Sequence, residues 1–374
     1  MNLSYWEIKS WLSNIDFCIV GSGIVGLNCA LKLREHYPQA KIIILEKGVL
    51  PQGASTKNAG FACFGSLSEI LDDLKSHTEE EVFQLVKKRA DGSKLLRETI
   101  GDKQLNYQQL GGYELFLEKD IQLFQECIKH KDTINKLLKP IFKDDVFSLK
   151  DNIFKFKNIK GDYIFNQFEG QIDTGNMMEA LLKLAQSKGI KILNTISVES
   201  YSDDNNSVHV KTNYFEFSAS KLYIATNGFA SQLLKEEVKP ARAQVLITKP
   251  IKNLHIKGTF HFEKGYYYFR NVDDRILFGG GRNLDFKTEE TSEFGENKII
   301  QNNLESLLKT TILPNTDFEI EHRWTGIMGV AKQKKAIVKQ LSNNVFCGVR
   351  LGGMGVAIGS LVGKELAEIS LKYN

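Results

Sequence analysis

Six residues, Gly21-Ser22-Gly23-Ile24-Val25-Gly26, follow directly on the apolar run Phe17-Cys18-Ile19-Val20. Glycines at this spacing let a chain turn tightly, let its backbone approach a pyrophosphate, and let a helix sit close to a strand. The free N–H groups at the start of that helix, with the positive end of its dipole, then hold an anion. Glu46 closes the next apolar run, Lys41-Ile42-Ile43-Ile44-Leu45, about twenty residues on. A carboxylate there accepts hydrogen bonds from ribose hydroxyls and repels a 2′-phosphate, which argues against NADP. Dinucleotide binding is the chemistry these residues point to, and the motif alone does not choose between FAD and NAD.

A second set lies in Tyr266-Tyr267-Tyr268-Phe269-Arg270. Strand alternation puts Tyr266, Tyr268 and Arg270 on one face and Tyr267 and Phe269 on the other. The first face could wall a substrate pocket, although aromatic side chains are also what an ordinary sheet favours. A substrate carboxylate calls for a guanidinium, and Arg242, Arg270, Arg282 and Arg323 are the candidates. His261 and His322 fall in the same stretch, where lone histidines are usually structural. Neither the seven histidines nor the five cysteines have metal-ligand spacing, so no metal is expected.

The elements that must position these residues read as follows. Phe17 to Val20, a helix from about Ile24 to His36, and Lys41 to Leu45 form a strand, helix and strand crossover. Residues 67–100 are helical, and Gly111 to Glu118 alternates as a strand of a different, antiparallel sheet. The helix Met177 to Lys188 stops at Gly189, a strand follows from Ile190 to Val198, and the buried strand Lys221 to Thr226 closes on Asn227-Gly228. A hairpin joins Tyr266–Arg270 to Arg275–Gly279 through Asn271, Asp273 and Asp274. The strand Val345 to Val349, the turn Gly352-Gly353-Met354-Gly355 and an apolar helix from Val356 to Leu371 end the pattern.

This predicts an α/β fold: a Rossmann-like dinucleotide domain (1–75, 150–238 and 326–374) interleaved with an α+β substrate domain on a mixed or antiparallel sheet (76–149 and 239–325). The length of 374 residues suits two domains sharing a large core. The net charge of +4 is scattered, without the basic stripe that nucleic acid requires. Five cysteines without a C-x-x-C pair fit a reducing cytoplasm, and no apolar stretch is long enough for a membrane span. The N-terminus lacks the basic region and cleavage site of a signal peptide.

The segment Gly53-Ala54-Ser55-Thr56-Lys57-Asn58-Ala59-Gly60-Phe61 resembles the second FAD-contacting loop of the D-amino-acid oxidase, glycine oxidase and sarcosine oxidase superfamily. Gln171-Ile172-Asp173, Lys221 to Gly228, Lys239 to Gln244, Tyr266 to Gly281, His322-Arg323-Trp324-Thr325-Gly326 and Gly352 to Gly359 are similar to it in the same order, over nearly the whole chain. The resemblance implies FAD, held non-covalently, because no Cys or His stands where some relatives attach the flavin. It implies cofactor contacts from Gly21, Ser22, Gly23, Ile24, Val25, Gly26, Glu46, Lys47, Ala54, Ser55, Thr56, Asn58, Ala59, Gly60 and Phe61. Further contacts would come from Val198, Thr226, Asn227, Gly228, Gly326, Arg350, Gly352, Gly353, Met354, Gly355 and Val356. The turn 352–355 would face the pyrimidine side of the flavin, where negative charge develops on reduction.

The implied reaction is oxidation of a C–N bond in a small amine or amino acid by hydride transfer to flavin, with dioxygen or another electron acceptor as oxidant. Tyr266, Tyr268, Arg270 and Trp324 are the candidate catalytic residues. Two departures stand out: Met328 follows Trp324-Thr325-Gly326-Ile327 where relatives often carry a carboxylate-binding arginine, and Leu277 replaces a dioxygen-activating lysine. The alternatives are an FAD enzyme acting on an amine of a modified tRNA base, and a flavin-binding subunit without its own substrate site.

Overall fold

The computed structural model describes residues 2–371; residues 1 and 372–374, the ends of the expected 1–75 and 326–374 segments, lie outside the described residues. Four fully buried residues, Ile42-Ile43-Ile44-Leu45, can only form a strand covered on both faces. They pair in parallel with Ile15–Val20, which pairs in parallel with Glu216–Ile224. Val345–Val349 and Lys191–Leu193 extend the parallel sheet on either side. Helices Ile24–His36, Thr174–Ser187 and Gly355–Leu371 bury Leu27, Leu33, Leu181, Val362 and Leu366 against it.

The second sheet runs in the order Ile320–Val330, Lys239–Thr248, Arg275–Gly280, Tyr267–Val272, Thr259–Phe262, Gly112–Glu114, Asp162–Asn166 and Phe147–Asp151. Its pairs are antiparallel except for Gly112–Glu114 beside Thr259–Phe262, so the sheet is mixed. One face packs an aromatic core, with Phe260 and Phe269 stacked at 4.5 Å. Tyr267 belongs to that core, and Tyr268 points the other way, against Phe61.

Several boundaries differ from those expected. The helical stretch 67–100 breaks into Leu67–Leu74 and Glu79–Ile100, each opened by a capping box from Ser66 or Thr78. The strand expected over Ile190 to Val198 splits, because Thr195 turns into positive φ and the Thr195 and Ile196 N–H groups donate to the carbonyls of Gly48 and Glu46. Residues 147–151 and 162–166 pair in the second sheet, so the expected return to the first domain at 150 comes too early. Conversely, Glu79–Ile100, assigned to the substrate domain, buries Leu96 and Ile100 in the core of the parallel sheet. The strand Ile320–Val330 also carries the second sheet past the expected boundary at 326.

Candidate active site

A cavity of about 600 Å³ runs from the carboxyl ends of the parallel strands to the open face of the second sheet. Its dinucleotide end is lined by Gly21, Gly23, Ile24, Val25, Glu46 and Lys47, then by Ala54, Ser55, Asn58, Ala59 and Phe61. Val198, Thr226, Asn227, Gly228, Gly326, Arg350, Gly352, Gly353, Met354, Gly355 and Val356 complete that half.

Four expected contact residues stand behind the wall. Ser22 is buried and donates its N–H and hydroxyl to Glu46 Oε2, at 3.1 and 2.7 Å. The other Glu46 oxygen accepts the Gly48 N–H at 2.9 Å. That oxygen also takes the Gln52 N–H at 3.5 Å, so the carboxylate's roughly four acceptor sites are all engaged, and a ribose hydroxyl would displace this longest contact first. Gly26 packs its helix onto the Gly21 carbonyl, Thr56 donates to Pro51 O at 2.6 Å, and Gly60 lies against Ile172 and Arg270.

The cradle fits an extended dinucleotide. The Ser55 hydroxyl accepts the Ile24 N–H at 3.0 Å, at the helix N-terminus where an anion would be held. A Cβ on Gly23 would lie 2.8 Å from that hydroxyl and fill the approach. Thr226 Oγ1 is buried beside the cavity without a hydrogen-bond partner, and such groups find one when a ligand is bound. Arg350, at positive φ, directs its guanidinium away to the carbonyls of Lys335 and Glu237.

The substrate end departs more from expectation. Tyr266 and Tyr268 line the cavity; Arg270 and Trp324 do not. Arg270 donates to the backbone carbonyls of Ala59, Ile172 and Asn271, and burial pulls its guanidinium down to about 10. It braces the 53–61 segment against the second sheet. Trp324 donates from Nε1 to Lys57 O at 3.0 Å, supporting the same segment from below.

Among the four candidate arginines, Arg242 forms a buried ion pair with Glu289 at 2.8 Å, and Arg323 is bound to Gln301 and Glu305. Arg282 alone of the four lines the cavity. Among the described residues it has no carboxylate or carbonyl partner, only the Phe286 ring 4.8 Å from its guanidinium carbon. Gly280 makes this placement possible: its φ is +118, and a Cβ would lie 2.0 Å from the Tyr266 carbonyl. The Gly281 N–H then donates to that carbonyl at 2.9 Å and folds Arg282 back over the strand.

Sequence reasoning undervalued His261. It lines the cavity, edge-on to Phe61, with Nε2 3.3 Å from Glu169 Oε2. Glu169 is itself buried and receives the Phe64 N–H and the Asn166 amide. Burial pulls the imidazole down, but the Glu169 carboxylate outweighs it and the net direction is up. Cys63 brings a third donor atom within 4.8 Å of these two. Its thiol is raised well above the ordinary range, first by burial and then by the Glu169 and Glu69 carboxylates, which makes it a poor nucleophile and a poor metal ligand.

A raised histidine stabilises the fold fully below its unfolded value of about 6.5 and loses that contribution as pH climbs through the folded value. Replacing Glu169 by Gln removes the cause of the rise. Wild type should therefore lose melting temperature relative to Glu169→Gln as pH increases from about 6 to 9. Parallel melting curves across that range would show that the pair does not titrate as stated.

A family model described as FAD dependent oxidoreductase, DAO, matches residues 16–369. A probable oxidoreductase, OrdL, of Haemophilus influenzae is 22% identical over 382 aligned positions, covering 96% of this chain and 84% of the relative. The gamma-glutamylputrescine oxidoreductase of Escherichia coli is 23% identical, covering 95% and 83%. Among solved structures, glycine oxidase from Geobacillus kaustophilus superposes with a TM-score of 0.76 at 17% identity, covering 96% of this chain and 95% of that one. L-proline dehydrogenase from P. horikoshii superposes at 0.74 with 18% identity, covering 96% and 94%.

Proposed function

The chain belongs to the DAO family of FAD-dependent oxidoreductases, and from that premise we propose that it oxidises the C–N bond of a small amine that also bears a carboxylate. The observation that carries the carboxylate is Arg282, a cavity guanidinium with no direct ion pair or hydrogen bond among the described residues, although the Glu289 and Glu290 charges act on it from a distance. Arg282 is half-buried, and that partial burial depresses it and strengthens any ion pair it makes relative to open water. Met328, where relatives often place such an arginine, lines the same cavity and leaves the task to Arg282.

FAD, when bound, supplies the acceptor for a hydride leaving the carbon beside the amine nitrogen. The protein's own share is positioning. Tyr268 is half-buried on the cavity wall and its phenol is pushed up to about 12 by burial, so it stays a neutral hydrogen-bond donor to the substrate. Phe61 stands edge-on to both Tyr268 and His261 and keeps water from the space between them. Arg270 and Trp324 act indirectly, by fixing Ala59 and Lys57.

The flavin is held without a covalent bond in this reading, since the protonated thiol of Cys63 is no nucleophile for attachment. Acid precipitation should leave the colour in the supernatant. Leu277, buried against Ala59 and Val245 in place of a dioxygen-activating lysine, favours an acceptor other than dioxygen.

Anaerobic mixing of the yellow protein with glycine, sarcosine, proline, D-amino acids and polyamine derivatives tests the substrate class. At least one carboxylate-bearing amine should bleach the flavin, and reoxidation by air should be slow. Bleaching by simple polyamines alone would overturn the carboxylate, and bleaching by none would overturn the substrate class.

A further inference from the structure

The segment Tyr5–Leu12 winds into short helical turns opened by a capping box from Ser4. Leu12 alone is buried there, against Ile15, Val208 and their neighbours. Tyr5, Trp6, Ile8 and Trp11 are 66%, 68%, 45% and 40% exposed. Soluble surfaces rarely gather two tryptophans, a tyrosine and an isoleucine in one such patch.

Cations surround it. Lys9 Nζ lies 5.9 and 5.7 Å from the Tyr5 and Trp6 rings, and Lys191 Nζ lies 4.5 Å from the Trp11 ring. Lys41 and Lys191 also donate to the carbonyls of Lys9, Ser13 and Ser10, fixing the segment on the parallel sheet. A groove beside them is lined by Arg34, Lys41, Lys188 and Lys191 and by no acidic residue. Lys41 is pulled down by burial and then by the charge of Lys191, so the two cations repel and an anion would relieve both. Of the nearby acids, Glu7 is engaged with Ser4 and Glu35 with Lys32, while Asp16 accepts the Lys41 N–H and offsets part of the repulsion at Lys41.

We propose that this face docks on an anionic lipid surface, with Tyr5, Trp6, Ile8 and Trp11 at the headgroup level and the Arg34–Lys41–Lys188–Lys191 groove against lipid phosphates. Amphipathic aromatic rings settle at that depth, and neighbouring lysines and arginines add attraction to acidic lipids. A second copy of the chain is the poorer occupant, because a two-fold contact through the patch would bring two basic grooves together. The parallel topology places the surface at the amino ends of Ile15–Val20, Ile42–Leu45 and Lys191–Leu193, whereas Gly21 and Glu46 lie at the carboxyl ends. Docking therefore leaves the cavity free. No described helix is long and apolar enough to cross a membrane, and the contact would be peripheral.

The flavin-loaded protein is spun with vesicles of equal parts phosphatidylglycerol and phosphatidylcholine, and with phosphatidylcholine alone. Co-sedimentation with the anionic vesicles should exceed that with neutral ones by about tenfold and fall with added salt. Tyr5→Ser with Trp6→Ser, and separately Lys188→Glu, should each reduce it about tenfold, with flavin content and melting temperature unchanged. Absence of binding, equal binding to both vesicles, or binding indifferent to these substitutions overturns the proposal. So does a dimer in sedimentation velocity that the Tyr5/Trp6 variant dissociates, since the patch would then join two copies.

Discussion

Gly26→Ala is expected to yield a protein that purifies without yellow colour. A Cβ at Gly26 would lie 1.9 Å from the Gly21 carbonyl oxygen and 3.2 Å from Ile19 Cγ2, so the helix Ile24–His36 must move off its strand. Nothing behind it yields: Gly363 of the terminal helix approaches so closely that its own Cβ would lie 2.5 Å from the Val25 carbonyl. Overpacking of this kind costs about 1–3 kcal/mol. The larger loss is in the site, because the first turn of the helix, whose free N–H groups would face the pyrophosphate, moves with it. Two charge-assisted hydrogen bonds to a pyrophosphate are worth about 3 kcal/mol together, which corresponds to roughly a hundredfold in cofactor affinity. The ratio of visible to ultraviolet absorbance measures retained flavin, and melting temperature should fall with it, since bound ligand stabilises by mass action. Gly161→Ala is the control, because a Cβ there meets nothing within 4 Å. Full flavin in Gly26→Ala would mean that the helix terminus does not hold the cofactor as proposed.

The fold of that strand, turn and helix was legible because its geometry is local. The strand, the glycine turn and the helix are contiguous in sequence, and Glu46 ends the very next strand. The alternation of Tyr266 to Arg270 was equally legible, and Tyr267 and Phe269 do face the aromatic core. What the alternation could not say is where a long side chain ends. Arg270 is on the face expected, yet its donors are taken by carbonyls from Ala59 and Ile172, which the fold brings from 211 and 98 positions away. Arg242 and Arg323 are likewise claimed by Glu289 and Glu305, partners no pattern in the chain identifies. The domain boundary near 150 failed for a related reason. A short strand such as Asp162–Asn166 reads the same in either sheet, and only its pairing with Gly112–Glu114 decides its membership. His261 read as an ordinary lone histidine because the group that distinguishes it, Glu169, comes from another part of the chain.

Removing the unpaired guanidinium is the second large effect. In Arg282→Leu, kcat/KM for a carboxylate-bearing amine should fall about a hundred- to a thousandfold, the approximate equivalent of 3–4 kcal/mol for truncating one partner of a desolvated charge pair. Most of the loss should be in KM, because the carboxylate is held alike in the ground state and at the transition state and takes no part in bond breaking. The flavin spectrum and the melting temperature should hardly change, as Arg282 carries no ion pair and contributes only its stacking on Phe286. Arg270→Leu offers the contrast: it strands the carbonyls of Ala59 and Ile172, so cofactor retention and stability should fall together. Comparing amine substrates with and without a carboxylate then isolates the assignment. A loss confined to those that carry it places the carboxylate on Arg282, whereas an equal loss for both would assign the residue to shaping the cavity mouth beside Tyr266 and Phe286.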